Sequence, residues 1–408
     1  MGCLDGGRGG ADVKELLYLF EDINYRNGVR TVTAEQICQL KSFYKITLFS
    51  LTRPNEQSLE LFNAPIIGIE IWEMMDTLSK PCMEVLRSPQ IGTLKKLKRL
   101  WYALWRRMSK QEPLERLLTA RFFDIFESFD IVIVLNETSR LRPLAARLTH
   151  PKKVQWIHTC YALWRAQSAW ARAQTANDGI LYQSFDWIVT LSLRNRESFI
   201  SIWPQLAART VSIMNLMPDE LIREKAMQPC LVELEPFRPW MVTICRFEAS
   251  KAIDRLIRVA ERLKKAGQNF CWYLVGSGES ERDIKRHITT AGLQDTVILT
   301  GALENPYPLL KQCDLFVLPS VYEGTPVTIC EALILGIPVA ATDVGGIADL
   351  IENGINGLLL QNTEEEIFEG LFSLLHDSSR LLRLKKGAQG YHYDNMSILQ
   401  ALQALLEA

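Results

Sequence analysis

The sequence has no long hydrophobic run and almost no net charge. No window holds about 18 uninterrupted apolar residues, which excludes a conventional membrane-spanning helix. The formal net charge of -1 gives no reason to expect a nucleic-acid partner. The glycine-rich residues 1–12 lack the apolar core of a signal peptide, and we expect them to form a disordered leader. The sequence therefore predicts a soluble or peripheral protein.

The cysteines lack the spacing of a metal site. Nine are scattered along the chain without a Cys-x-x-Cys pair. Several, such as Cys245 and Cys271, stand inside apolar runs, which is typical of small buried side chains in a reducing compartment. We therefore expect a cytoplasmic protein without structural zinc.

Buried-strand patterns alternate with helical patterns in two series. At 408 residues, two domains are expected. The first series has strands at 16–20, 45–51, 66–71, 131–135, 154–158 and 187–191, with a helix at 34–42 after the first strand. The second has strands at 240–245, 270–275, 297–299, 315–318, 339–341 and 357–359. Four prolines within 216–239 indicate a connector. The pattern predicts two doubly wound α/β domains, at 13–215 and 240–387.

One segment, residues 315–331, combines a strand, a tight turn and a helix. The turn holds Glu323 and Gly324, and we expect Thr325 to cap the helix with Pro326 as its first residue. Free amide groups at the start of a helix, from Val327 onward, suit a phosphate. Two carboxylates eight positions apart, Glu323 and Glu331, suit sugar and ribose hydroxyls, since each accepts two hydrogen bonds.

The surrounding motifs resemble glycosyltransferase family 4. They are the Glu-x7-Glu pair, 331–333, 336–339, 341–346, 353–357 and 305–308. The resemblance is strong over 240–362 and weaker before it. It implies the GT-B fold, in which two Rossmann-like domains face each other across a cleft. It also implies retaining transfer of a sugar from a nucleoside-diphosphate sugar to a glycan or lipid-linked glycan in polysaccharide assembly, and a C-terminal helix, within 388–408, that packs back on the first domain.

The resemblance also implies a set of donor-binding residues. Arg246 and Lys251 match the family's cation pair for the diphosphate, although its usual Lys-Gly is Lys251-Ala252 here. Fixed cations stabilise the charge that gathers on a departing diphosphate. The other implied donor-side residues are Gly276, Gly278, Thr300, Gly301, Gly324, Thr325, Pro326, Val327 and Glu331, while Glu323, His158, Arg246 and Lys251 are the implied catalytic residues. Two solvated surface cations are the alternative interpretation of Arg246 and Lys251.

No cofactor or metal is expected besides the sugar nucleotide. None of the 17 aspartates forms an Asp-x-Asp pair, which is the usual carboxylate pattern of glycosyltransferases that hold the diphosphate through Mg²⁺ or Mn²⁺. We therefore expect Arg246, Lys251 and a helix start to replace the ion.

The first domain is expected to supply the acceptor side. Trp156-Ile157-His158 ends a strand and resembles a segment of bacterial family members whose His contacts the donor sugar or reaction centre. A structural hydrogen-bonding role is the alternative for His158. Glu137 is a second candidate, with a carboxylate at a helix start as its alternative. Gly28 is the single glycine where the family usually shows two, and it is the candidate for a close approach to substrate.

Residues 93–110 form the most basic stretch of the chain. Leu94, Leu97, Trp101, Leu104 and Met108 fall on one helical stripe, and no acidic residue interrupts the segment. Such a helix is typical of binding to an anionic membrane surface, here the inner face of the cytoplasmic membrane. The cations assigned to that contact are Lys95, Lys96, Lys98, Arg99, Arg106 and Arg107. The alternative is an ordinary helix packed through its leucine stripe.

Two other functions remain open on the sequence alone. A sugar-nucleotide epimerase or a phosphorylase could use the same architecture. An inactive homologue could serve as a scaffold, although the chain retains Arg246, Lys251, Glu323 and Glu331 together.

Overall fold

The first domain is a seven-stranded parallel sheet with helices on both faces. The computed structural model describes residues 13–25, 27–78, 80, 82–108, 113–236 and 238–408. The expected leader therefore lies outside the described residues. The strands are β1 Glu15–Phe20, β2 Lys45–Ser50, β3 Ile66–Ile67, β4 Ile131–Val134, β5 Lys152–Ile157, β6 Trp187–Thr190 and β7 Thr210–Ser212. Their order across the sheet is β3-β2-β1-β4-β5-β6-β7, and all pairs are parallel.

Twelve helices are described up to the end of the connector. They are α1 Gly28–Leu40, α2 Glu56–Phe62, α3 Ile69–Leu78, α4 Cys82–Arg87, α5 Thr93–Met108, α6 Pro113–Glu127, α7 Arg142–Arg147, α8 Tyr161–Gln167, α9 Ala169–Gln174, α10 Asp178–Leu181, α11 Leu193–Ile202 and α12 Asp219–Lys225. Helix α1 begins six residues before the predicted start because Asn27 caps it, its side chain accepting from the Arg30 amide at 2.9 Å.

The second domain repeats the arrangement with six parallel strands. These are β8 Trp240–Ile244, β9 Cys271–Val275, β10 Val297–Gly301, β11 Leu315–Leu318, β12 Val339–Thr342 and β13 Gly357–Leu360, in the order β10-β9-β8-β11-β12-β13. The helices are α13 Ile253–Lys265, α14 Glu281–Thr290, α15 Tyr307–Gln312, α16 Val327–Ile334, α17 Glu364–His376, α18 Ser378–Gln389 and α19 Asn395–Glu407. Two doubly wound α/β domains are thus confirmed.

The prediction of a strand at 66–71 is wrong beyond its second residue. Gly68 has a φ of +121°, and a Cβ there would lie 2.7 Å from the Ser50 carbonyl oxygen. The chain therefore leaves the sheet at Gly68, and only glycine can adopt this conformation so close to the Ser50 carbonyl. Helix α3 begins at the next residue, Ile69.

The last helix, α19, packs on the first domain. Leu402, Leu405 and Leu406 are buried in one cluster with side chains of β1, β2 and β4. The Lys152 ammonium donates to the Leu406 carbonyl at 2.8 Å, and the Tyr44 hydroxyl donates to Glu407 at 2.8 Å. The chain therefore crosses between the domains twice, once through the connector and once before α19. Among the described helices, none combines the length and the apolarity needed to cross a membrane.

Candidate functional site

A cleft of about 440 Å³ separates the two domains, and both contribute to its walls. Four strands deliver residues to it from their carboxyl ends. Strand β5 leads to His158, β8 to Arg246, β9 to Gly276 and β11 to Glu323. Ligands of doubly wound sheets bind at this edge, so the fold itself gathers residues that are far apart in sequence.

Lys251 and Glu323 form a buried ion pair in the cleft. The Lys251 Nζ lies 2.6 Å from Glu323 Oε1, and the side chains are 17% and 9% exposed. The Ser320 hydroxyl donates to the same carboxylate oxygen at 2.6 Å. Burial acts to lower the pKa of Lys251, but the charge and hydrogen bond of Glu323 outweigh it, and the pKa is raised. Lys251 is therefore a fixed positive charge at neutral pH.

Arg246 lies on the more open side of the cleft and connects the domains. Its guanidinium donates to the Tyr25 hydroxyl at 2.8 Å and to Glu248 Oε1 at 3.2 Å. The Ser250 hydroxyl holds that same Glu248 oxygen at 2.7 Å. Because half of the Arg246 side chain is exposed, the guanidinium can exchange these partners for a ligand.

The backbone after Lys251 adopts a left-handed conformation, which glycine favours over other residues. A short 3-10 turn, Ala249–Lys251, is followed by Ala252 at φ +51° and ψ 40°. An L-residue in this left-handed region costs about 1–2 kcal/mol. The departure from Lys-Gly to Lys251-Ala252 therefore leaves the turn intact and adds local strain.

The predicted cap of α16 is wrong by one residue. The helix begins at Val327, with Pro326 in an extended conformation at the cap position (ψ 117°). The Thr325 hydroxyl instead donates to the Leu191 carbonyl of the first domain at 3.2 Å. Thr325 thus joins the two domains, and the open amides at the start of α16 face the cleft beside Val327 and Thr328.

Glu331 sits within α16, behind the residues that line the cleft. It is 7% exposed, and its Oε1 accepts from the Tyr307 hydroxyl at 2.9 Å. Burial raises the pKa of Glu331 to about 7, with the Tyr307 hydrogen bond opposing the shift. The carboxyl therefore changes charge near neutral pH.

The glycines after β9 and the last two residues of β10 divide into two groups. Gly276 lines the cleft at φ +145°, and a Cβ there would lie 1.9 Å from the Cys245 carbonyl oxygen. Gly278 packs against the Phe247 backbone, with 2.4 Å from its Cβ position to the carbonyl oxygen. Thr300 donates to the Leu274 carbonyl at 3.3 Å, and Gly301 turns the chain at φ +74°. Gly278, Thr300 and Gly301 are thus not among the lining residues.

His158 faces the cleft from the first domain, and Glu137 holds its backbone. The His158 amide donates to Glu137 Oε2 at 3.2 Å, and Glu137 is 3% exposed. Burial lowers the pKa of His158, although the Glu137 charge and a hydrogen bond to the Leu135 backbone oppose the shift. The imidazole is therefore neutral at pH 7. Its Nε2 has no hydrogen-bond partner among the described residues.

Two glycines allow the domains to touch at the cleft. A Cβ at Gly324 would lie 1.7 Å from the His158 carbonyl oxygen, and one at Gly28 would lie 2.9 Å from Val327 Cγ2. Gly28 is therefore close to the start of α16, where the acceptor side meets the donor side.

Replacing Gly324 with alanine is expected to destabilise the closed arrangement by about 1–3 kcal/mol, since backbone atoms must separate to admit the methyl group. Thermal unfolding should show a lower Tm, and small-angle scattering a larger radius of gyration. Gly92→Ala is the matched control, because nothing lies within 4 Å of its Cβ position. An unchanged Tm for Gly324→Ala would contradict this contact.

Several residues of the site carry no pattern that identifies them in the sequence. Tyr25, Ser320 and Tyr322 reach the cleft or its ion pair through loop conformation alone. Tyr307 stands in the motif 305–308, yet only the fold shows its hydroxyl on Glu331. Within the part of the chain that is described, no three His, Cys, Asp or Glu side chains are grouped as metal ligands.

The sheet topology and shared cleft define the GT-B architecture. Anabaena Alr3699/HepE in complex with UDP and glucose superposes with a TM-score of 0.72 over 97% of this chain and 99% of that one, at 16% identity. Residues 235–391 match the family model of glycosyl transferases group 1. The C-terminal domain therefore matches glycosyl transferases group 1, which confirms the resemblance predicted from the motifs.

Curated relatives match over part of their length. The α-D-kanosaminyltransferase of Streptomyces kanamyceticus is 29% identical over 154 residues, which are 37% of this chain and 40% of that protein. The N-acetylgalactosamine-N,N'-diacetylbacillosaminyl-diphospho-undecaprenol 4-alpha-N-acetylgalactosaminyltransferase of Campylobacter jejuni is 25% identical over 232 residues, 56% of this chain and 62% of that protein. The match thus spans less than two thirds of the length of either relative.

Proposed function

We propose that the protein is a retaining glycosyltransferase that moves a sugar from a nucleoside-diphosphate sugar to a glycan or lipid-linked glycan in polysaccharide biosynthesis. The observation that carries the proposal is the placement of Lys251, Arg246 and the start of α16 around one cleft between two parallel sheets. The complex of the Anabaena protein with UDP and glucose supports a uridine diphosphate sugar as donor.

In this proposal the diphosphate lies between the two cations and the start of α16. An ammonium has three N–H donors, and Glu323 takes one from Lys251, which leaves others for phosphate oxygens. Arg246 is exposed enough to turn toward the second phosphate. As the glycosidic bond breaks, the leaving diphosphate gains negative charge, which fixed donors stabilise without a metal ion. We therefore propose metal-independent transfer.

Glu323 and His158 would hold the transferred sugar from opposite walls. Glu323 can accept sugar hydroxyls through the oxygen not engaged by Lys251 and Ser320. His158 lines the opposite wall, and its neutral imidazole would exchange a hydrogen bond with a sugar hydroxyl. The acceptor hydroxyl would attack from the face of the leaving group, and a donor phosphate oxygen would take its proton. This path retains the anomeric configuration without a covalent intermediate.

The acceptor is proposed to be a glycan or a lipid-linked glycan. The name of the Campylobacter relative describes an acceptor on diphospho-undecaprenol, which supports this class. A cytoplasmic location follows from the proposed use of a sugar nucleotide.

A thermal-shift screen across sugar nucleotides tests the proposed donor. A ligand at 100 times its Kd stabilises the folded state by about 2.7 kcal/mol, so the right donor should raise the Tm by several degrees in the presence of a chelator. Arg246→Ala should abolish most of the shift. The matched control is Arg286→Ala, a cation whose side chain is 74% exposed outside the cleft.

The identity of the reaction product distinguishes a glycosyltransferase from the other enzymes of this fold. Incubation with donor alone should give little product, whereas an epimerase would convert the sugar nucleotide by itself. With acceptor, an anomeric configuration equal to that of the donor is expected by NMR. A requirement for a divalent ion, or an inverted product, would contradict the proposal.

A further inference from the structure

Helix α5 has two chemically distinct faces. At about 100° per residue, Leu94, Leu97, Leu100, Trp101 and Leu104 fall on one arc. The cations fall on the opposite arc, and the helix contains no acidic residue. The side chains of Arg106, Arg107 and Met108 lie outside the described residues.

The apolar face of α5 points away from the domain. The exposed fractions of Leu94, Leu97, Leu100, Trp101 and Leu104 are 66%, 57%, 43%, 60% and 57%. Trp101 also contacts Trp105, with 4.8 Å between ring centroids and the two rings tilted by 41°. A helix held to a core by its leucine stripe would bury these side chains, so the ordinary interpretation of this segment is wrong for the described residues.

The polar side of α5 makes the contact with the protein. Lys96 and Arg99 are half-buried. The Arg99 guanidinium donates to the Lys80 carbonyl at 3.1 Å and lies 5.9 Å from the ring centre of Tyr102. Tyr102 packs against the core of the first domain. Helix α5 therefore packs on the domain through its basic side, and its row of leucines and Trp101 points outward.

We propose that α5 docks the protein on an anionic lipid bilayer, with its apolar face in the boundary between headgroups and acyl chains. An apolar arc that carries Trp101 fits that boundary. Lys98 is exposed at the edge of this arc, where it can meet lipid phosphates, and the exposed Lys95 lies farther round the helix and adds longer-range attraction. A second copy is disfavoured as occupant, because two helices with six cations each would repel one another. This surface goes beyond the proposed transfer reaction and does not depend on it.

Flotation of the full chain with vesicles tests the proposal. We expect binding to phosphatidylcholine vesicles that contain phosphatidylglycerol, and binding at least tenfold weaker to phosphatidylcholine alone. Trp101→Ala combined with Leu104→Ala should weaken binding at least tenfold. Lys95→Gln with Lys98→Gln should weaken it about thirtyfold at low salt, which corresponds to about 1 kcal/mol for each cation.

Leu382→Ala with Met396→Ala is the matched apolar control, since these side chains are 60% and 66% exposed elsewhere. It should bind as the wild type does, and every variant should keep the wild-type Tm. Equal binding to neutral and anionic vesicles would overturn the proposal, as would unchanged binding of the Trp101 and Leu104 variant. A dimer in light scattering that this variant abolishes, without vesicle binding by the wild type, would assign the face to self-association instead.

Discussion

Replacing Lys251 with alanine is expected to lower kcat/KM for sugar transfer by about 100- to 1,000-fold. The ammonium is the more buried of the two cations in the cleft, and removal of one fixed donor to a developing charge typically costs about 3–4 kcal/mol of transition-state stabilisation. The change also leaves Glu323 without its ionic partner, so the variant should fold with a lower Tm. Steady-state kinetics and a thermal melt measure the two effects separately.

The isosteric change Glu323→Gln separates the contribution of the Lys251–Glu323 ion pair to stability from its contribution to sugar transfer. It keeps an oxygen for the Ser320 hydroxyl but removes the charge that faces Lys251. We expect transfer to fall as severely, with circular dichroism unchanged. Combining Glu323→Gln with Lys251→Ala should recover stability relative to Lys251→Ala, because no buried charge is left unpaired, yet should not recover transfer. Near wild-type activity in either single variant would remove that residue from the proposed mechanism.

The sequence alone predicts those elements whose apolar pattern is local, such as strands that are buried along their whole length. Uniform apolar runs such as those of β4 and β9 are buried along their whole length, so their prediction required no knowledge of the partner strand. The motif residues Arg246, Lys251 and Glu323 lie in the loops that follow β8 and β11, and the parallel topology brings these loops to one edge. Helix α13 is equally predictable from the sequence, since its apolar side chains Ile253 and Leu256 recur at helical spacing and are buried.

The features that were missed depend on contacts between distant parts of the chain. Thr325 has the chemistry of a helix cap, but closure of the domains gives its hydroxyl the Leu191 carbonyl instead. The outward face of α5 follows from packing of Arg99 and Tyr102, and an amphipathic pattern does not reveal which of its faces meets the protein. Tyr25 and Arg246 are 221 positions apart in the sequence, and no local sequence pattern predicts their contact.

Replacing Glu331 with glutamine is expected to stabilise the ligand-free protein at pH 8 by about 3 kcal/mol. Burial raises the pKa of this carboxyl from its ordinary 4.5 to about 7. Between those values the folded state retains a proton that the unfolded state has lost, so stability falls as pH rises from about 4.5 to 7 and stays lower above. Glutamine does not titrate. The variant should therefore match the wild type near pH 4.5 and exceed it above pH 7, in urea melts at several pH values.

Glu233→Gln provides the control, because it makes the same substitution at an exposed position. A wild-type profile that does not fall between pH 5 and 7 would contradict the raised pKa of Glu331.

Folding favours the protonated form of Glu331, and donor binding should favour the ionised form. An ionised Glu331 accepts two hydroxyl hydrogen bonds, whereas a glutamine side chain offers a single acceptor oxygen. Wild-type affinity for the sugar nucleotide is therefore expected to rise as pH increases through about 7, and Glu331→Gln should bind at least tenfold more weakly at pH 8 without that rise. Equal donor affinity of the two proteins at pH 8 would show that the carboxylate does not contact the ribose. With the expected result, the ionised Glu331 carboxylate lowers the stability of the free protein above neutral pH and strengthens its binding of the donor.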